Sequence, residues 1–100
     1  MTLVYITCKD KEEAEKISKH LLEKRIIACA NIFPIKSMYW WENKIVNDNE
    51  NVIIAKTNSK NFRKLVAEIK KMHSYEIPCI LRINSISNKE YEEWADKEMM

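Results

Sequence analysis

Two adjacent tryptophans, Trp40 and Trp41, constrain this chain more than any other feature. The residues around them favour extended structure, so we expect the pair to lie in a strand. Because neighbouring residues of a strand point to opposite faces, the two indole rings cannot enter one core. One ring can pack against the chain's own helices, and the other needs a second cover. A chain of 100 residues has little left to provide it, so the pair predicts association, most simply with another copy.

Composition predicts a single domain over residues 1–100. Apolar residues make up 46% of the chain, which is enough for a core, and charged residues make up 32%. The net charge of +2 is too small to favour nucleic acid or an anionic membrane surface as a partner. We also expect neither a secretory signal nor a membrane-spanning segment. Three cysteines, never in a C-x-x-C pair, predict reduced thiols and a cytoplasmic location.

Periodicity predicts the order βαββαβ followed by a short terminal helix. The first predicted strand covers 3–8, and Asp10 then caps a helix with Glu13 in a capping box. An extended segment follows over 26–41, with Pro34 at a bend or sheet edge, and a turn at 42–44 leads into a strand over 45–55 that the polar residues 47–51 interrupt. The remaining elements are a helix capped by Ser59, a strand over 78–86, and a helix capped by Ser87 with Glu90 in a second capping box. The chain has no glycine, so we expect Asn43 to take a positive φ in the turn.

This order is typical of a ferredoxin-like α+β fold, in which helices cover one face of a four-stranded sheet. Three of the predicted strands are apolar at consecutive positions, at 4–6, 52–55 and 79–81. A sheet with one solvated face would alternate apolar and polar residues. The pattern therefore predicts that the second face is also buried, which again indicates self-association.

Candidate metal ligands concentrate near the end of the second helix. His73 and Glu76 could share a divalent ion, or His73 could bond helix-end carbonyls while Glu76 pairs with a base. Cys29 could be a nucleophile, but its apolar neighbours favour core packing. Lys56 and Thr57 could meet an anion in a cleft between subunits. The sequence contains no phosphate-binding glycine loop, nucleophile elbow or H-E-x-x-H motif, so we do not expect an enzyme.

Several collinear motifs between Val4 and Trp94 resemble those of the CutA divalent-cation tolerance proteins. They are A-C-A-N-I at 28–32, S-M-Y-W-W-E-N-K-I at 37–45, K-T at 56–57, H-S-Y-E-I-P at 73–78 and Y-x-x-W at 91–94. The resemblance implies a ferredoxin-like subunit in a homotrimer with the sheets packed inward, a role in the response to divalent ions, and copper binding without an obligatory cofactor. It also implies similarity to PII-type signalling trimers, and hence an alternative role as an adaptor that binds a small anionic ligand between subunits.

The resemblance implies specific sites, and the sequence departs from some of them. Copper-linked members carry a first-strand cysteine where this chain has Ile6, and two histidines of which only His73 matches. Ser74 and Cys79 replace a proline and an acid of the family motif. We therefore predict three sets of residues: metal ligands His73, Glu76, Cys8 and Cys79; an intersubunit cleft of Cys29, Tyr39, Trp41, Glu42, Lys56 and Tyr75; and a trimer interface formed by Trp40, Trp41 and Trp94.

Overall fold

Residues of the first strand are alternately buried and half-buried, and the buried ones mark the side of the sheet on which the core of the chain lies. The computed structural model describes residues 1–99. In sequence order the elements are β1 (Thr2–Cys8), α1 (Lys11–Glu23), β2 (Cys29–Trp41), β3 (Lys44–Thr57), a 3₁₀ turn (Ser59–Asn61), α2 (Phe62–Met72), β4 (Ile80–Asn84) and α3 (Lys89–Glu98). The strands pair antiparallel in the order β2-β3-β1-β4. This is the predicted ferredoxin-like arrangement.

One face of the sheet carries the core. Val4, Ile6 and Cys8 of β1 are fully buried, together with Ile53 and Ala55 of β3. They pack in one cluster with apolar residues of α1 and α2, of which Ile17, Leu21, Leu65 and Ile69 are fully buried. Burying these side chains stabilises the fold by about 1.5–3 kcal/mol for each large one. None of the helices within residues 1–99 is long and apolar enough to cross a membrane.

The opposite face of the sheet is also apolar but is uncovered in the single subunit. Leu3 and Tyr5 of β1 are half-buried there. On β4, Leu81 is 53% exposed and Ile83 is 44% exposed, and their register partners on β1 are Tyr5 and Leu3. The prediction of strands that are apolar on both faces is confirmed. We call this surface the open face.

The strands β2 and β3 form a hairpin of thirteen register pairs, from Cys29↔Lys56 to Trp41↔Lys44. Glu42 and Asn43 form its two-residue turn with φ of 50° and 62°, as a tight hairpin turn requires. The positive φ of Asn43 was predicted, whereas that of Glu42 was not. The expected interruption at 47–51 is wrong, because the ladder runs through it without a break. Most residues of the distal hairpin are exposed, so their polar side chains carry no burial penalty, but Glu50 is buried.

Of the three N-cap residues predicted from the sequence, the structure confirms one. Asp10 caps α1, and its Oδ1 accepts from the Glu13 N–H at 2.8 Å. Ser59 does not cap α2, because the Asn58 side chain instead caps the preceding 3₁₀ turn. The Ser87 box is also wrong, since Asn88 is the N-cap of α3. The strand predicted over 78–86 is shorter, because β4 pairs only with Thr2–Ile6 of β1.

A buried carboxylate joins the two core-covering helices. Glu68 of α2 accepts from Lys71 at 2.9 Å and from Lys24 at 3.0 Å, and its Oε1 lies 3.4 Å from His20 Nε2. The hydrogen bonds from Lys71 and Lys24 lower the pKa of Glu68 to about 2. His20 is half-buried against this carboxylate.

Replacing Glu68 with glutamine tests this network. The folded pKa lies below the ordinary value of 4.5, so ionised Glu68 stabilises the fold above that pH, and this contribution falls away as the pH drops towards about 2. We expect the wild type to be more stable than Glu68→Gln at neutral pH, with a difference that shrinks over this acid range. Chemical denaturation at several pH values measures it.

Glu93→Gln is the matched control, because Glu93 lies 3.9 Å from Lys89 in an exposed ion pair. Such pairs contribute little, so this variant should track the wild type at every pH. A stability difference for Glu68→Gln that stays constant down to pH 2 would contradict the assigned network.

Candidate functional site

The end of β1, the first turn of α1 and the segment after α2 bring three potential metal ligands together. One ligand atom from each of Cys8, Glu13 and His73 lies within 4.8 Å of the others. The sequence pointed to Cys8 and His73 but missed Glu13, which was assigned only to the capping box. The signal for Glu13 was its place one helical turn after Asp10, where the chain reverses beside β1. We call these three residues the thiol–imidazole cluster.

Both ring nitrogens of His73 already have partners. Nε2 lies 2.8 Å from the Thr7 carbonyl oxygen, and Nδ1 lies 3.0 Å from the Tyr75 backbone nitrogen. A carbonyl can only accept, so Nε2 carries the proton and Nδ1 accepts from the Tyr75 N–H. The neutral imidazole therefore satisfies both contacts. The partner carbonyl belongs to β1 rather than to the end of α2.

Glu13 fastens the same segment from the other side. Its Oε1 accepts from the Lys9 N–H at 3.0 Å, and its Oε2 accepts from the Ser74 N–H at 2.9 Å. Partial burial acts to raise the pKa of Glu13, but the hydrogen bonds from Ser74 and Lys9 outweigh it and lower the pKa. Glu13 is thus ionised at neutral pH and holds the start of the segment after α2 against the β1–α1 junction.

Cys8 completes the cluster from the core side. Its side chain is fully buried, and burial followed by the nearby charges of Glu13 and Glu50 raises the pKa of the thiol to about 12. The sulfur is therefore protonated at neutral pH, and a metal ion would have to displace that proton. Sulfur, nitrogen and carboxylate oxygen together suit a borderline or soft ion such as zinc or copper. The donor set fits such an ion, provided that one ring nitrogen of His73 is released from its hydrogen bond.

The other predicted ligands, Glu76 and Cys79, do not join this cluster. They line an adjacent groove of about 640 Å³. Its walls come from β1, β2, β3 and the segment after α2. Its lining residues are Thr7, Ser37, Met38, Tyr39, Trp41, Glu50, Ser74, Tyr75, Glu76, Ile77 and Cys79. We call it the hairpin groove. Of the four predicted ligands, His73 and Cys8 come together, and the remaining two face the groove.

The predicted intersubunit cleft is divided in the single subunit. Tyr39, Trp41 and Tyr75 line the hairpin groove, and Glu42 lies in the hairpin turn. Cys29 and Lys56 pair at the opposite end of the β2–β3 ladder, about 40 Å from the turn at the usual rise per strand residue. The Lys56 ammonium lies instead 5.2 Å from the centre of the Tyr91 ring. Cys29 is half-buried rather than buried in the core, because β2 is an edge strand.

Sequence reasoning missed Glu50, the buried carboxylate of the groove. Glu50 is only 5% exposed, and its Oε2 accepts from the Tyr75 hydroxyl at 2.6 Å. Burial, followed by this bond, raises the pKa of Tyr75. The local pattern gave no signal, because Glu50 lies within residues 47–51, which were interpreted as a break between strands. Its bond to Tyr75 joins β3 to the segment that carries the thiol–imidazole cluster.

Tyr75→Phe tests the contribution of this bond. Removing the hydroxyl leaves a buried carboxylate oxygen without its donor, which costs about 1–3 kcal/mol in unfolding free energy. Urea denaturation at pH 7 measures the loss. The control is Tyr39→Phe, whose hydroxyl donates to Asp48 at 2.9 Å in an exposed position, and its effect should stay below about 0.5 kcal/mol. Equal losses of unfolding free energy in the two variants would show that the Glu50–Tyr75 bond stabilises the fold no more than the exposed Tyr39–Asp48 bond does.

Comparisons with known proteins agree with these motifs and this fold. The family model described as "CutA1 divalent ion tolerance protein" matches residues 2–98. A divalent-cation tolerance protein CutA from Archaeoglobus fulgidus is 50% identical, over 94% of this chain and 93% of its own length.

Solved structures give the same result at the level of the backbone. The structure of the periplasmic divalent cation tolerance protein CutA from Archaeoglobus fulgidus superposes with a TM-score of 0.95 at 48% identity, and covers 98% of each chain. The PII-like protein CutA from Nostoc sp. superposes with a TM-score of 0.93 at 26% identity, over 100% of this chain and 98% of that one. This chain therefore belongs to the CutA1 divalent ion tolerance protein family.

Proposed function

We propose that this protein acts in tolerance to divalent and soft metal ions, copper among them, by binding them at the thiol–imidazole cluster. The observation that carries the proposal is the convergence of Cys8, Glu13 and His73 within 4.8 Å in a chain of this family. A thiolate with an imidazole favours copper or zinc over magnesium or calcium, which prefer several oxygen ligands. Glu76 and Cys79 would contribute only to an ion held on the groove side.

Metal binding at this cluster would have a structural consequence. The Nδ1 lone pair that His73 would offer to a metal now accepts from the Tyr75 backbone N–H, whereas the Glu13 carboxylate keeps free lone pairs beside its bonds to Ser74 and Lys9. An ion bound at His73 Nδ1 therefore competes with one of the bonds that hold the segment after α2. That segment also carries Tyr75, Glu76 and Cys79 of the hairpin groove. Metal binding and the shape of the groove are coupled in this proposal.

Calorimetric titration of the reduced protein with copper(I), copper(II) and zinc tests the metal site. We expect one saturable site per subunit, weakened by at least about tenfold, or about 1.4 kcal/mol, in Cys8→Ala and in His73→Ala. Cys29→Ala and His20→Ala are matched controls, because they remove the same chemistry outside the cluster. Retained affinity in both cluster variants, or equal losses in the controls, would place the site elsewhere.

We further propose that the protein is a homotrimer with the open faces turned inward, as the family resemblance implies. Support comes from the uncovered apolar surface of the sheet and from the distal hairpin, where Trp40 is 72% exposed. Trp41 and Trp94 are also partly exposed. A sheet face that carries exposed large apolar side chains is typical of an interface.

Light scattering and sedimentation at micromolar concentration test this assembly. The wild type should have three times the subunit mass, and Trp40→Ala should dissociate at higher protein concentration because it loses indole burial against another copy. Leu22→Ala on α1 is the control, since it trims an exposed apolar side chain on the helix side. A monomeric wild type, or equal dissociation of both variants, would refute the proposed interface.

The alternative of a PII-like module that binds a small anion has weaker support. Glu50 and Glu76 are the charged residues that line the hairpin groove, and Lys56 lies at the other end of the sheet. An anion in the groove of a single chain would meet repulsion there. No catalytic role is proposed for Cys29 or His73.

We propose a cytoplasmic location, supported by three free cysteines, although the archaeal relative's structure is described as periplasmic. Cell fractionation would distinguish the two compartments.

A further inference from the structure

The exposed side of α2 carries positive charge along its whole length. The exposed residues between the preceding 3₁₀ turn and the last turn of the helix are Ser59, Lys60, Arg63, Lys64, Ala67, Lys70 and Lys71. Their spacing of three and four residues places them on one side of the helix. The five cations among them form a surface that we call the basic face, and no acidic residue lies within it.

The acidic residues of the chain leave this face uncompensated. Glu68, the acid of α2, is buried and already accepts from Lys71 and Lys24. Within residues 1–99, the other four cations of the basic face make no salt bridge. By contrast, α3 holds five acids and two lysines. The net charge of +2 is therefore an average over a basic helix and an acidic one, and it does not describe the surface of either.

The basic face has no apolar or aromatic component. The large apolar residues of α2 are all buried or half-buried, and they are Phe62, Leu65, Val66, Ile69 and Met72. A helix that binds a membrane surface inserts apolar side chains into the lipid, and specific protein interfaces are enriched in aromatic residues and depleted in lysine. Proteins that bind single-stranded nucleic acid stack its bases on aromatic side chains. The composition of the basic face therefore disfavours all three kinds of partner.

The spacing of the cations fits a phosphate backbone. Lys60 and Lys70 are ten residues apart, which is about 15 Å along a helix. One strand of a duplex advances about 3.4 Å along the axis for each phosphate, so that length spans about four phosphates. The four cations without a salt bridge are distributed over the same length. Lysine and arginine alone are sufficient for such contacts, because each phosphate that is neutralised releases condensed counterions.

The basic face lies on the outside of the proposed assembly. Through Leu65 and Ile69, α2 packs on the core face of the sheet, which is opposite the open face. In a trimer whose open faces turn inward, the exposed side of α2 points away from the other copies. The surface is therefore accessible in the assembled protein as well as in the single chain.

We infer that the basic face of α2 binds the phosphate backbone of a duplex nucleic acid without reading its bases. Lys60, Arg63 and Lys64 contact phosphates near the start of the helix, and Lys70 contacts them near its end. The interaction is independent of the proposed metal site, because no residue of the thiol–imidazole cluster belongs to the basic face.

Fluorescence anisotropy of a short labelled DNA duplex tests the inference on the native, metal-free protein. We expect saturable binding at low salt. The logarithm of the affinity should fall linearly with the logarithm of the salt concentration, with a slope between about −3 and −4 for four phosphate contacts. Two duplexes of unrelated sequence should bind equally well. The absence of binding at low salt, or a strong preference for one sequence, would overturn the inference.

Two double variants separate the position of the charge from its amount. Arg63→Gln with Lys64→Gln removes two contacts, and should weaken duplex binding at low salt by at least about tenfold and reduce the salt slope by about 2. The matched control is Lys89→Gln with Lys97→Gln on α3, which lowers the net charge equally and should bind like the wild type. Equal losses in the two double variants would show that only the overall charge matters, and would overturn the inference.

A second pair of substitutions covers a failure to fold. If circular dichroism shows that Arg63→Gln with Lys64→Gln is unfolded, Lys60→Gln with Lys70→Gln removes the other two unpaired cations and carries the same expectation. Unchanged duplex affinity in that variant would refute the assignment.

Poly-glutamate and vesicles of anionic lipid are the competing probes, because they carry negative charge without a duplex backbone. At the same salt concentration both should bind more weakly than the duplex. If either binds the wild type more tightly than the duplex does, the basic face docks an acidic protein or a lipid surface instead, and the inference is overturned.

Discussion

The long ladder between β2 and β3 is the feature on which the rest of the structure depends. Its core-side half carries Ile53 and Ala55 into the buried cluster, and its distal half extends beyond the core. The molecule is accordingly elongated, with extents of 45 × 25 × 21 Å. The same continuous ladder therefore gives the subunit a core, one wall of the hairpin groove and an exposed aromatic surface. A break at 47–51 would have separated these three roles.

A second constraint is the attachment of the segment after α2. Three contacts fasten it: His73 to the Thr7 carbonyl, Glu13 to the Ser74 N–H, and Tyr75 to Glu50. The first two lie at the β1–α1 junction, and the third lies on β3. The segment is thus held across two neighbouring strands by hydrogen bonds rather than by a regular element of its own. Each bond is worth about 1 kcal/mol, or more where a carboxylate accepts, so a change at one end alters the position of the other.

The sequence predicted the fold well because its decisive signals are local. Runs of apolar residues, Asp10 before a helical stripe, and the turn predicted after Trp41 each act within a few residues. The motifs then identified the family. The errors arose where distant contacts outweigh local preference. Residues 47–51 look like a loop, yet β2 pairs with them throughout, and Ser59 has cap chemistry but Asn58 takes the role. Glu13 and Glu50 were missed as site residues because their partners, Ser74 and Tyr75, lie 61 and 25 residues away.

The absence of glycine connects these observations with stability. Within residues 1–99, three residues have positive φ: Arg25 after α1, and Glu42 with Asn43 in the hairpin turn. The left-handed conformation costs an ordinary residue about 1–2 kcal/mol. At Arg25 the cost is offset locally, since its N–H donates to the Leu22 carbonyl at 3.0 Å and the next N–H, that of Ile26, donates to the Leu21 carbonyl at 3.0 Å. In the hairpin turn the cost is offset by the thirteen register pairs of the β2–β3 ladder that the turn closes. A chain without glycine also loses less backbone entropy on folding, so the strain at three positions is accompanied by a stiffer unfolded state.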